Sequence, residues 1–438
     1  MTGRFSLLAV LVALLSGISW AQTATDLAAL KGLAPLSILA KIPGGNQALA
    51  SNYAVTGGLQ NGTIRQATLL PFADQQQQAL RDAFITGDNL AELADGLGTT
   101  LGGAYLARAH YIDPARSTSI SPAVAAVIAL AVSTSGANSN SGKYFFANAT
   151  TNGKTPVSAE AMQILHELGG DTDIFGRSYG LPAGSPGADS YGNSRPFQTE
   201  PGIAPIVGPD YFNVPATNGV YNRGPLMNLT DSPSFPSGHT TYGYTGALVL
   251  AILVPERYQQ MIARGAEYGN DRILVGAHYA MDVLGGRTLA LYDMAHLLAD
   301  DPAYAKQDFQ AAIRSARADL AAALTAACGE SLAQAAREDT GRFSDPAADK
   351  AFYDSTQTYG LAKVYPGNAG KPEDVGKLAP EAGYLLTAAF PSLSLEEADR
   401  ILTATEGPGG FLDNGSAFGV YSRLDLYAAS GRAAEMAN

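Results

Sequence analysis

The hexapeptide Ser234-Phe235-Pro236-Ser237-Gly238-His239, answered after a gap of 32 residues by Arg272-x5-His278-x3-Asp282, constrains this chain more than any other stretch. A tight Pro-Ser-Gly turn running into the apolar segment Thr240 to Leu253 makes a helix N-terminus, where free backbone N–H groups and the helix dipole favour an anion. His239 falls in the first turn, facing that anion. His278 and Asp282 are four apart, so a helix through them would set both on one face. The carboxylate could then hold one ring nitrogen and leave the other free to attack. Two imidazoles, a paired carboxylate, an arginine and an anion cradle are the parts needed for phosphoryl transfer through a phosphohistidine.

Composition bounds the rest. The chain of 438 residues is 46% apolar and 16% charged, which is globular and long enough for a large core. Its net charge of −12, with no basic patch, argues against nucleic acid as a partner. Residues 1–21 read as a secretory signal: Arg4, an apolar run from Leu7 to Ile18, then Ser19-Trp20-Ala21 with small residues where a signal peptidase reads. Cleavage near Ala21 would give a periplasmic or secreted protein. The single Cys328 permits no internal disulfide, so the core must hold the fold. No other apolar segment reaches the roughly 20 residues a spanning helix needs, which argues against stable membrane insertion.

Taken in order, residues 22–115 read as an N-terminal arm to about Gly62, with one short helix at Asp26 to Leu33, followed by helices at Asp74–Ile85 and Asn89–His110. Residues 116–300 form the core, with helices opened by Ser121-Pro122 and at Val157–Leu168, then a Gly-, Pro- and Asn-dense stretch over 171–237 without periodicity. A loop of that length in a compact domain points to function. Helices at Thr240–Leu253, Pro255–Tyr268 and Arg272–Leu298 follow, the last broken near Gly285-Gly286. Residues 301–438 are a C-terminal helical extension, whose alternating segment Ser416–Tyr427 suggests an edge strand. The fold class expected is mainly α.

With Arg195-Pro196 upstream, these motifs resemble the three-part signature of the type-2 phosphatidic acid phosphatase superfamily, in particular its soluble bacterial non-specific acid phosphatases, which are related to vanadium haloperoxidases. The resemblance covers Arg195 to Asp282 and implies a helical bundle of that type, with an irregular active-site loop and the C-terminal extension added. It also implies an acid phosphatase needing no metal or cofactor, acting on a small phosphomonoester. By the same resemblance, His278 is the nucleophile, Asp282 orients it, and His239 is the acid for the leaving oxygen. Arg195, Ser237, Gly238 and Arg272 hold the phosphate. Five histidines without a spaced Asp/His cluster also argue against a two-metal site.

The chain departs from the pattern twice. Ala188 stands where the family has lysine, with Arg177, Lys154 and Lys143 as candidate replacements, and Asp271 stands where it has serine, adding negative charge at the rim. The departures motivate a weakened phosphate- or phospholipid-binding relative as an alternative and disfavour a vanadium-dependent haloperoxidase, a further alternative, because bound vanadate needs several cations; a phosphotransferase would use the same residues. The sequence leaves a homo-oligomer open. Elsewhere, His110, His166 and His296 read as surface or satisfied core residues and Cys328 as buried and inert. Arg287 reads as the partner of an acidic side chain.

Overall fold

The computed structural model describes residues 24–33, 45–135, 158–167, 195–219, 229 and 234–437, apart from 65, 67, 88, 114, 115, 201, 303, 305–307, 338 and 339 within those spans. The expected signal segment, Ala188 and its candidate replacements Lys143, Lys154 and Arg177 lie outside the described residues. So does the side chain of His166.

The fold is mainly α. Its helices are α1 (Ala24–Leu33), α2 (Gly45–Asn61), α3 (Phe72–Asp82), α4 (Gly98–Leu106), α5 (Pro122–Ser135), α6 (Ala159–Glu167), α7 (Pro196–Thr199), α8 (Gly238–Leu253), α9 (Tyr258–Leu274) and α10 (Ala280–Leu298). They continue as α11 (Phe309–Cys328), α12 (Leu332–Arg337), α13 (Pro346–Thr358), α14 (Val375–Leu378), α15 (Tyr384–Thr387), α16 (Leu395–Ala404), α17 (Ala417–Val420) and α18 (Leu426–Ala437). A 3-10 helix, Leu90–Leu97, precedes α4, and two antiparallel hairpins pair β1 (Tyr111–Asp113) with β2 (Arg116–Ser117) and β3 (Val207–Pro209) with β4 (Pro215–Thr217).

Helices α8, α9 and α10 are the centre. Every residue of α8 except Tyr242, and every residue of α10 except His296, is buried. A helix apolar all round is a core helix, and no described helix is long and apolar enough to cross a membrane. Gly285 and Gly286, which look like a break in the sequence, are a packing notch within a continuous α10. A Cβ on Gly285 would meet Phe235 at 2.6 Å, and one on Gly286 would meet the Ser237 carbonyl oxygen at 2.4 Å. The missing side chains let the Pro-Ser-Gly turn lie directly on α10, where the Thr241 hydroxyl donates to Gly286 O at 3.2 Å.

Four further expectations are corrected. The supposed arm contains α2, whose Asn52 and Thr56 side chains accept the N–H groups of Met281 and Ala280, both at 3.0 Å; these are orphan donors at the N-terminus of α10. The stretch 171–237 holds α7 and the β3–β4 hairpin. The segment 416–427 is helical instead of strand: the Ser416 hydroxyl caps α17 by accepting Gly419 N–H, and the alternation is too short to outweigh that cap. Cys328 is half-buried at the end of α11.

The C-terminal elements are knitted into the central helices through backbone carbonyls. Arg287 of α10 donates to Thr356 O, Gln357 O and Ser422 O at 3.3, 3.2 and 2.9 Å, so its partners are carbonyls and not the acidic side chain expected. Tyr258 O–H donates to Leu385 O at 2.8 Å. His296 is satisfied by Asp301 at 3.0 Å, and His110 is exposed.

On the other side of α9, Arg264 grips Asp82 through two bonds, 2.6 and 2.9 Å, and reaches Asp95 at 2.6 Å. Arg342 ties Asp95 and Glu267 together at 2.6 and 2.7 Å. Asp271 lies in this interior and not at a rim. Burial first, then Asp82 and Glu267, pushes its carboxyl well above the usual range. Glu92 beside them is pushed from 4.5 up to about 8, mainly by burial and then by Asp95 and Asp82. A carboxyl with a raised folded-state pKa contributes no penalty while both states are protonated. It destabilises the fold progressively as pH rises through the window from 4.5 to about 8, where only the unfolded chain ionises. Glu92→Gln should therefore gain thermal stability over the parent as pH rises through that window, with the gap closing near its acid end. A gap independent of pH would contradict the buried, protonated Glu92.

Candidate active site

Helix α9 ends at Leu274, and five residues turn the chain into α10. Gly276 makes the turn possible with φ of +77°, a left-handed conformation that costs glycine nothing. The carbonyl of Arg272 accepts the N–H groups of Ala277 and His278 at 3.1 and 3.2 Å, and so folds the loop back on itself. His278 thus sits in the loop, one residue before the N-cap Tyr279, and Asp282 sits in the first turn of α10. The spacing of four works without a helix through both.

Asp282 Oδ2 faces His278 Nδ1 at 3.4 Å, accepts Tyr279 N–H at 2.9 Å and accepts the Ser234 hydroxyl. On the far side of the imidazole, Arg195 Nη1 lies 2.9 Å from His278 Nε2. A guanidinium only donates. Nε2 must therefore be the acceptor with its lone pair toward Arg195, and the ring proton belongs on Nδ1, toward Asp282. The tautomer is fixed from both ends.

Arg195 is placed by local rules. Pro196 begins α7 at a position that tolerates the missing N–H, the Arg195 N–H donates to Gln198 Oε1 at 2.7 Å, and Phe197 N–H donates to Gly276 O at 3.0 Å. Arg195 Nη1 also donates to Ala277 O at 3.1 Å. A fully buried guanidinium is thereby held against the turn that carries His278.

At the start of α8, the Ser237 hydroxyl accepts Thr240 N–H at 3.1 Å as an N-cap, and Ser237 N–H donates to Asp282 O at 3.0 Å. The Ser237 amide is thus engaged within the chain, while its hydroxyl keeps a proton to donate and Gly238 opens the helix. His239, 7% exposed, brings its ring to 6.3 Å from that of His278, centroid to centroid, and 6.2 Å from Tyr242. Arg272 is fully buried and donates once, to Ala83 O at 3.5 Å; its Nε and Nη2 have no hydrogen-bond partner among the described residues. Burial holds its pKa below the ordinary arginine value. Among the described residues no group of three or more His, Cys, Asp or Glu is placed to hold a metal ion.

Two contributions were missed by sequence reasoning. Ser234 opens the hexapeptide, yet nothing in the sequence shows that its hydroxyl reaches Asp282, 48 positions away. The caps supplied by Asn52 and Thr56 come from a helix without an apolar stripe to betray it.

Residues 184–299, which hold every one of these site residues apart from the α2 caps, match the PAP2 superfamily profile. This segment is a PAP2 superfamily domain. The chain is similar to the non-specific acid phosphatase of Salmonella typhimurium, 45% identical over 69 residues, covering 16% of this chain and 28% of the relative. It is similar to the acid phosphatase of Zymomonas mobilis, 39% identical over 94 residues, covering 22% and 33%. A non-specific acid phosphatase of Providencia stuartii is 33% identical over 93 residues, covering 21% and 35%. The chain spans about a third of the length of the curated relatives it matches.

A buried guanidinium with unbonded donors is costly, on the order of 1–3 kcal/mol per orphaned group, unless an anion occupies the space beside it. Orthophosphate should accordingly raise the melting temperature of the parent protein, by mass action on the folded state, and Arg272→Met should lose most of that shift. Equal protection of parent and variant would place the anion elsewhere.

Proposed function

We propose that this chain is an exported acid phosphatase that hydrolyses phosphomonoesters through a phosphohistidine, without a metal. One observation carries the reading: the Arg195–His278–Asp282 array, in which one ring nitrogen faces a carboxylate and the other presents its lone pair beside a guanidinium. A phosphate bound by Arg195 would take the guanidinium N–H from Nε2 onto its own oxygens and leave the lone pair to face phosphorus.

In the first step His278 Nε2 attacks phosphorus, the bond from phosphorus to the ester oxygen breaks, and His239 gives its proton to the departing oxygen. Asp282 stabilises the positive charge left on the phosphorylated imidazole through the Nδ1 proton. In the second step water attacks phosphorus, His239 takes a proton from it, and the P–N bond breaks to release phosphate. Arg195, Arg272, the Ser237 hydroxyl and the Gly238 end of α8 would hold the equatorial oxygens, donors preorganised where charge develops. Transfer to an alcohol in place of water uses the same residues. Proton delivery of this kind contributes about 10²–10⁴-fold. His239 must start protonated and His278 unprotonated, so an optimum on the acid side of neutral follows.

The test is hydrolysis of 4-nitrophenyl phosphate across about pH 4 to 9, in EDTA, with and without orthovanadate. Turnover should survive EDTA, peak below neutral and be inhibited by vanadate, and His278→Ala should reduce it by about 10³-fold or more. Turnover that survives His278→Ala, or a rate flat with pH, would contradict the mechanism. Phosphate binding without turnover would instead favour the weakened binding relative suggested by Ala188.

A further inference from the structure

A groove of 490 Å³ runs between α5, the Leu90–Leu97 helix and β2. One wall is the apolar stripe Val124, Ile128 and Val132 of α5, facing Leu90; the other includes Tyr105 and the hydroxyls of Ser117 to Ser119, and among the described residues none that lines it is charged. Gly87 also lines it, and an added Cβ there would meet Val132 Cγ1 at 2.9 Å and the Tyr242 ring at 3.5 Å. Tyr242 in turn stands against His239, ring centroids 6.2 Å apart. Among the described residues, the Tyr242 ring thus links Gly87 of the groove to the imidazole proposed to protonate the leaving oxygen.

We infer that this groove is the leaving-group subsite, and that the preferred substrate is a phosphate monoester of an uncharged alkyl or arylalkyl alcohol. The inference rests on the phosphatase reading above. Whatever group departs must extend outward from the oxygen that His239 protonates, and Gly87 of the groove lies one side chain, Tyr242, beyond that residue. Its described lining offers no counter-ion, so a leaving group carrying a second phosphate or a carboxylate would be desolvated there without compensation. An apolar chain would gain from burial along the α5 stripe.

The experiment measures kcat/KM for ethyl, butyl, hexyl and octyl phosphate, each below its aggregation concentration, with 4-nitrophenyl phosphate as a separate measure of phosphatase activity. In the parent protein kcat/KM should rise about twofold to fourfold per added methylene. Ala129→Trp, at an exposed groove position, should flatten the series while leaving ethyl phosphate within about twofold of the parent. The smaller Ala125→Leu should shorten the favoured chain, and circular dichroism establishes that both variants fold. A flat series in a parent that still hydrolyses 4-nitrophenyl phosphate overturns the subsite and leaves the phosphatase reading standing. A slope that neither substitution changes also overturns it. Failure of the parent to hydrolyse 4-nitrophenyl phosphate overturns both.

Discussion

The Asp282 carboxylate is the interaction on which the rest of the site depends. A carboxylate taken wholly out of water needs donors, and this one collects the Tyr279 N–H, the Ser234 hydroxyl and the Nδ1 side of His278. Its own backbone carbonyl holds the Ser237 N–H. One residue thus joins the N-termini of α8 and α10, fixes which nitrogen of His278 is protonated, and sets the Pro-Ser-Gly turn against the helix that carries it. The glycine notch at 285–286 is the steric counterpart of that junction, since any larger side chains there would push the turn away.

What surrounds the junction explains its placement. Asn52 and Thr56 satisfy the first N–H groups of α10 from outside the PAP2 domain, and Arg287 ties the same helix to three carbonyls of the C-terminal elements. Below Arg272, the Arg264–Asp82 pair and the raised carboxyl of Asp271 pack the last turn of α9. Residue 271 therefore puts a carboxyl whose ionisation is disfavoured, by burial and then by Asp82 and Glu267, into a buried network, which weakens the charge that would oppose a bound phosphate.

The helical class and the key motifs were legible because they depend on local rules: a cap before an apolar run, an Arg-Pro step, a fixed spacing of His and Asp. Long-range facts were less so. Gly285-Gly286 read as a break because glycine is a poor helix former, whereas the structure uses the absent side chains for contact with Phe235 and Ser237. Helix α2 was read as an arm because its buried face carries Asn52 and Thr56, polar groups with partners some 230 positions away that no periodicity reveals. The run Ser416 to Tyr427 alternates as a strand would, and the Ser416 cap overrides it.

The central claim, that His278 carries the phosphoryl group, is tested most directly by rapid acid-free quenching of the protein with a ³²P-labelled phosphomonoester, followed by mass spectrometry of the labelled peptide. A phosphoramidate is stable to alkali and labile to acid, unlike a phosphoserine or an acyl phosphate. The expected result is an alkali-stable, acid-labile label that maps to His278 and disappears in His278→Ala. A turning-over protein that holds its label on another residue, or shows no labelled intermediate while His278→Ala remains active, would contradict the mechanism.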